Sequence, residues 1–293
     1  MSWRTVVVSS RSKLELKNNY LVIRSDTVKR IHIDEISVLM VENTGCAITA
    51  SLLETLWNKK IAVIFCDRRR NPGAQLIPYY NSHDCSARTF AQINWDESNK
   101  KQVWKTIVRE KIRNQARLLS FIGKKDASDL LFGYMDDVQE GDSTNREGHA
   151  AKVYFNALFG SSFTRDSECF VNYALNYGYG ILLSVVNREV VANGYLTQLG
   201  IFHKNVYNQF NLSCDIMEPF RPLFDSSVMK MGIRDDDLSH EDKMSILETL
   251  NQRVSIMTMS NTVLNAIGIY TRSVLNSLDS QDLNQIRFCE YEF

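Results

Sequence analysis

The residue types that could do chemistry concentrate between Gly200 and Phe224, where His203, Asp215, Glu218 and Arg221 fall within nineteen positions. Carboxylates beside an imidazole are a donor set for a hard divalent cation. Mg²⁺ favours carboxylate oxygens, and Mn²⁺ tolerates one imidazole next to them. An ion held this way can orient a phosphodiester, activate an attacking oxygen and neutralise charge on the leaving group. Half of the chain's four prolines, Pro219 and Pro222, lie in the same stretch. Pro219 has no backbone donor and biases Glu218 away from helical angles. A helix starting at Pro219–Pro222 and running to about Met231 would carry Glu218 at its head. Taken alone, these residues read more simply as a proline-stiffened turn with one solvated His. A further candidate ligand is Glu147, at the start of an apolar helix whose alanines permit tight packing. His149, two residues on, should face elsewhere and reads as an exposed or capping His.

The elements that must position these side chains are of two kinds. Thr5–Ser9, Lys13–Lys17, Tyr20–Arg24, Arg30–Ile33, Val38–Val41, Ala62–Cys66 and Gln75–Tyr80 read as short strands, with Asn18-Asn19 as a tight hairpin turn. Ser51–Asn58 interrupts them with helical spacing. From Lys100 the apolar residues recur at helical intervals, and the pattern stays helical to the end. Helices are expected from Lys100, from Ser143–Arg146 to Gly160, over Val171–Val191, over Glu241–Met257 and over Thr262–Leu278. The Tyr- and Gly-rich Leu175–Gly180 stretch suggests close helix packing. The division is therefore 1–98, β-rich, and 99–293, all-α.

The formal net charge of zero conceals a split. Up to Lys125 there are 22 Lys and Arg against 11 Asp and Glu; beyond it, 12 against 23. Such asymmetry hints at polyanion binding on one side. Arg68, Arg69 and Arg70 form a cationic turn. The helix from Lys100 carries Lys101, Lys105, Arg109, Lys111 and Arg113, a basic face suited to phosphates. The six cysteines are scattered without a CxxC pair, no apolar run reaches membrane length, and no signal-peptide layout is present; reduced thiols in the cytoplasm are expected. No Gly-rich phosphate loop, GxGxxG or GxSxG motif occurs, so nucleotide-binding folds and serine hydrolases have no support.

Four segments in order carry a resemblance. They are Glu147 in Asn-Arg-Glu-Gly-His-Ala-Ala-Lys-Val-Tyr-Phe, Leu175-Asn176-Tyr177-Gly178-Tyr179, Gly200-Ile-Phe-His203, and Asp215-Ile-Met-Glu218-Pro-Phe-Arg-Pro. The chain, over essentially its whole length, resembles the CRISPR-associated integrases that insert new spacers into CRISPR arrays. The Arg-Pro-Leu-Phe-Asp run is most like members from type II systems. The resemblance implies an α+β chain with an N-terminal β-sandwich-like domain and an all-α C-terminal catalytic domain, paired as a homodimer. It implies three metal ligands, Glu147, His203 and Glu218, binding Mg²⁺ or Mn²⁺, with Asp215 as an auxiliary acid. It also implies double-stranded DNA as substrate, both prespacer and CRISPR repeat. Two dimers would flank a central dimer of a small second CRISPR-associated protein. A prespacer 3′-hydroxyl would attack a phosphodiester at the repeat end, and nuclease activity would use the same site. Lys204, next to His203, joins the basic candidates for DNA contact, and Arg221 is expected to pair with a carboxylate or cap a helix. A non-catalytic DNA-binding scaffold and a plain metal-dependent DNase are the competing readings.

Overall fold

The computed structural model describes residues 4–78 and 82–293. The chain is mixed α+β, with sheets towards the N-terminus and helices towards the C-terminus. Described residues up to Cys85, with Val191–Gly194, form one compact unit; Ser86–Val190 with Tyr195–Phe293 form the other.

The first unit contains β1 (Arg4–Val8), β2 (Lys13–Lys17), β3 (Tyr20–Arg24), β4 (Val28–His32), β5 (Ile36–Val41), β6 (Ala47–Ile48), α1 (Ala50–Asn58), β7 (Ala62–Cys66) and β8 (Pro72–Gln75). One sheet has the order β1-β5-β7-β8, the other β4-β3-β2-β6. β5 pairs in parallel with β1 and β7 and is buried along its whole length, which explains its near-continuous apolar sequence. Asn18 and Asn19 take φ of 51° and 62°, the left-handed pair that a two-residue hairpin turn requires. Side chains from both sheets and α1, among them Val6, Leu14, Leu21, Leu39, Leu52 and Val63, enclose one core. The strand expected over Gln75–Tyr80 ends at Gln75; Tyr79 and Tyr80 lie outside the described residues.

The second unit holds α2 (Cys85–Ile93), α3 (Glu97–Phe121), α4 (Lys125–Asp136), α5 (Arg146–Phe159), α6 (Phe170–Ala192), α7 (Asn211–Met217), α8 (Arg221–Met231), α9 (His240–Glu248) and α10 (Val263–Ser280). α2 belongs here because its polar groups bond within this unit. Gln92 donates to the carbonyls of Leu196 and Leu199, and Arg88 pairs with Asp279 of α10. Gly178 lets α6 approach closely: a Cβ there would lie 3.1 Å from Phe224 and 3.2 Å from Ile246. Among the described residues no helix is long and apolar enough to cross a membrane.

The unit is not all-α. β9 (Arg253–Ile256), β10 (Met259–Thr262) and β11 (Cys289–Glu290) make a three-stranded antiparallel sheet in the order β10-β9-β11. The helix expected over Glu241–Met257 therefore stops at Glu248, and the chain turns back through Met257 and Thr258, with φ of 52° and 63°. Val254 and Ile256 are buried at alternate positions, a period of two that the helical reading overlooked.

Candidate active site

α3 is the element around which the site is built. Its residues Trp104 and Lys111, seven apart, lie two turns from each other on one face. The Lys111 ammonium reaches between two carboxylates, 2.5 Å from Glu147 Oε1 and 2.5 Å from Glu218 Oε2. Asn114, one turn further, donates to the carbonyl of Pro219 at 3.2 Å, and Tyr291 donates to the same oxygen at 2.9 Å. These contacts anchor the Glu218–Pro219 segment to α3 and to the chain's C-terminal end.

Glu147 lies in the first turn of α5. Asp142 caps that turn, accepting the backbone N–H groups of Arg146 at 2.8 Å and Glu147 at 3.0 Å. Two of the helix start's orphan donors are thus satisfied by Asp142, leaving the Glu147 side chain free to face Lys111. Glu218 follows α7 directly, in a 3-10 turn (Glu218–Phe220) that leads into α8. Its φ and ψ are −51° and −44°, so it is helical rather than extended. α8 does start with Pro222 in its first turn, as the prolines suggest. The bias that Pro219 imposes on its predecessor is overridden because Glu218 is buried and held from two sides, by Lys111 and Arg221.

His203 and Asp215 form a second pair. His203 Nδ1 is 2.5 Å from Asp215 Oδ1. The fully buried Asp215 also accepts the backbone N–H groups of Ile201 at 2.6 Å and Phe202 at 2.9 Å, with that of His203 at 3.3 Å. This carboxylate is committed to folding the 200–203 turn and to fixing the imidazole, an orienting role that engages Nδ1 and not Nε2. Gly200 is required for it: a Cβ would stand 2.4 Å from the His203 carbonyl and 2.8 Å from Asp215 Oδ2. From α3, Trp104 stacks on Phe202 at 4.7 Å and meets the His203 ring edge-on at 5.7 Å.

Arg221 supports Glu218. Its Nε lies 3.0 Å from Glu218 Oε1, and its guanidinium sits 4.4 Å from the centre of the Tyr179 ring. Tyr179 donates to Asp225 Oδ1 at 2.5 Å, and Tyr154 to Asp225 Oδ2 at 2.9 Å. The Leu175–Gly180 stretch therefore does more than pack, since its tyrosine braces the arginine behind Glu218.

Charge at the site follows from these partners. Burial works against the charged form of Glu218, but Arg221 and Lys111 outweigh it and hold the carboxyl below its ordinary range. Burial likewise opposes the Lys111 charge, and Glu147 and Glu218 more than restore it. The hydrogen bond that the His203 ring makes to the Asp215 carboxylate raises the His203 pKa above the usual imidazole value, against partial burial. Asp225 is pushed up to about 6, chiefly by burial.

Glu147 and Glu218 are thus brought together at one ammonium, with His203 and Asp215 near enough that both glutamates act on the imidazole's charge. His149 is exposed. The basic candidates are dispersed. Arg109 donates to the Met135 carbonyl and pairs with Asp136 of α4, and Arg113 pairs with Glu110. Lys101 is exposed and Lys105 half-buried. Lys204 is exposed, 3.7 Å from Glu97. With His203, Lys100 and Asn205 it lines a cavity of about 520 Å³. Arg68, Arg69 and Arg70 occupy the turn between β7 and β8 in the other unit. The residues that sequence reasoning missed are Asp142, Asp225 and Lys111. The last reads as one of many cations on α3, although its spacing from Trp104 places both on a buried stripe.

Among the described residues no three His, Cys, Asp or Glu side chains are disposed as they stand to hold a metal ion. The donor set nevertheless suits one. Two carboxylates converge on a single point already filled by a cation, the Lys111 ammonium, beside an imidazole whose Nδ1 is bonded to Asp215, so that Nε2 is the nitrogen left for a ligand role.

Fold and site together define a two-unit α+β chain whose second unit gathers acidic and imidazole groups from several elements around Lys111 and Trp104 of one long helix, α3. The family follows: the chain belongs to the CRISPR associated protein Cas1 family, whose model matches residues 5–249. It is 34% identical over 294 residues to the CRISPR-associated endonuclease Cas1 of Neisseria meningitidis, covering 99% of this chain and 97% of that protein. Among solved structures it shares its fold with a casposase bound to integration product, at a TM-score of 0.75 and 18% identity, covering 97% and 92% of the two chains. It also matches a chain of a Cas6-RT-Cas1–Cas2 complex, at a TM-score of 0.72 and 18% identity, covering 97% of this chain and 36% of that one.

Proposed function

We propose that the chain is a metal-dependent DNA integrase and endonuclease of CRISPR spacer acquisition. The observation that carries this reading is the convergence of Glu147 and Glu218, from different helices, on one cationic point beside an imidazole oriented by Asp215. Family membership and the casposase and Cas2-containing neighbours support it. Glu147, Glu218 and His203 would hold Mg²⁺ or Mn²⁺. When bound, the ion supplies Lewis-acid activation and charge neutralisation at a phosphodiester.

The chain's own residues do the rest. Asp215 keeps the His203 ring turned so that Nε2 faces the reaction. Arg221, braced by Tyr179, keeps Glu218 ionised and still. Lys204 offers an exposed ammonium beside the cavity where a DNA strand would enter. In the reaction a DNA 3′-hydroxyl attacks the phosphorus of a repeat-end phosphodiester. A P–O bond forms, the original P–O bond breaks, and the proton of the attacking hydroxyl ends on the oxygen released. With water as nucleophile the same site cleaves DNA.

The two sheets of the first unit are read as a β-sandwich-like domain serving dimerisation. The assembly is read as two homodimers around a dimer of the small second acquisition protein, working on double-stranded DNA in the cytoplasm as part of a type II system. The test is joining of a labelled duplex to a repeat-bearing plasmid, with Mn²⁺ or with EDTA, and with or without the small partner. Joining only with metal supports an integrase. Cutting without joining identifies a plain DNase, and indifference to metal identifies a scaffold.

A further inference from the structure

Lys111 occupies the place that the metal reading reserves for an ion. Its ammonium is shared between Glu147 Oε1 and Glu218 Oε2, 2.5 Å from each, and its side chain is 10% exposed. Mg²⁺ takes oxygen ligands at about 2.0–2.1 Å, so an ion that Glu147 and Glu218 would hold must compete with the Lys111 ammonium for their oxygens. Two cations cannot share that place, and a doubly charged ion gains more from the same pair of carboxylates than an ammonium does. The backbone of α3 is held in place by buried Trp104 and by the Asn114 bond to Pro219. The long, rotatable Lys stem is therefore the part that yields.

We propose that Lys111 is a resident counter-cation. It holds Glu147 and Glu218 together before the ion arrives, competes with the ion for them, and is released by it to a phosphate oxygen of bound DNA. The inference rests on the reading of Glu147, His203 and Glu218 as metal ligands. It assigns Lys111 two successive partners, carboxylate and then phosphate. Removing both its charge and its competition should have opposite effects on metal binding and on DNA joining. Removing a ligand or a merely structural residue would weaken both.

The test is Mn²⁺ affinity, measured without DNA by titration calorimetry or electron paramagnetic resonance, for the full chain and for Lys111→Met, which keeps the length and loses the charge. Lys111→Gln is the alternative should the Met variant not fold. The expected result is about tenfold tighter Mn²⁺ binding in the variant, with slower strand joining at saturating Mn²⁺. Unchanged or weaker Mn²⁺ binding overturns the competition, and joining as fast as or faster than the original chain overturns the transfer to phosphate. In the unaltered protein, reductive methylation of Lys111 followed by mass spectrometry should speed up when Mn²⁺ is added; equal or slower modification overturns its release. Should neither protein bind Mn²⁺ at all, the metal reading falls and takes this inference with it.

Discussion

His203 Nδ1 and Asp215 Oδ1 stand 2.5 Å apart, and Asp215 at the same time gathers the backbone N–H groups of the residues from Ile201 to His203. One carboxylate therefore sets both the path of the loop and the direction of the ring on it. In the proposed metal site Asp215 would thereby orient a ligand, His203, rather than serve as a fourth one.

That arrangement has a pH signature. Asp215 raises the His203 pKa, and a ligand nitrogen must be free of its proton. The Mn²⁺ concentration giving half-maximal activity should therefore fall as pH rises through a midpoint above the ordinary imidazole value. In Asp215→Asn the midpoint should move to lower pH, while metal affinity at high pH drops by about 10- to 100-fold as the ring loses its orientation. An unmoved midpoint would show that Asp215 does not act on the imidazole.

Asp225 offers a stability test. It is fully buried and pushed up to about 6. Between its unfolded value near 4 and about 6 the folded chain binds the extra proton, so its contribution is present below that window and lost as pH rises through it. Urea unfolding of the original chain compared with Asp225→Asn should show the difference in stability falling by on the order of 2–3 kcal/mol from pH 4 to pH 6. A difference independent of pH contradicts the assignment.

Gly200→Ala should perturb the site without touching a charged group. The added methyl would meet the His203 carbonyl and Asp215 Oδ2 well inside contact distance. Displacing the loop should cost about 1–3 kcal/mol of stability. It should also weaken Mn²⁺ binding, because the imidazole moves with the loop. Stability and Mn²⁺ affinity measured together check this, and a variant equal to the original chain in both refutes the close-approach argument.

Much of the fold was legible because local signals agreed with it. The Asn18-Asn19 turn, the apolar β5 and the Thr262-capped start of α10 each follow from residue type alone. β9 and β10 were illegible because four-residue strands joined through Met257-Thr258 carry no turn signature, although both residues adopt positive φ. At the site, the ordered segments around Glu147, His203 and Glu218 stood out in the sequence. Lys111 did not, since burial decides whether a cation on a long helix meets solvent or two carboxylates, and burial is a property of packing. The helical conformation of Glu218 before Pro219 was hidden for the same reason.

DNA affinity should depend on phosphates. With each phosphate neutralised, the logarithm of the binding constant should fall against the logarithm of salt concentration with a slope of about −0.9 per contact. Lys204→Ala should reduce that slope by about one and lower affinity uniformly across sequences, as read by fluorescence anisotropy at several salt concentrations. A variant with an unchanged slope would remove Lys204 from the interface.

The central claim is that Glu147, His203 and Glu218 form one metal-dependent centre for DNA strand transfer. It is tested most directly by measuring joining of a labelled duplex to a repeat-bearing plasmid in Mn²⁺ for Glu147→Ala, His203→Ala and Glu218→Ala, with DNA binding measured on the same samples. The expected result is loss of joining in all three with DNA binding retained. Joining at the original rate in all three variants would contradict the account.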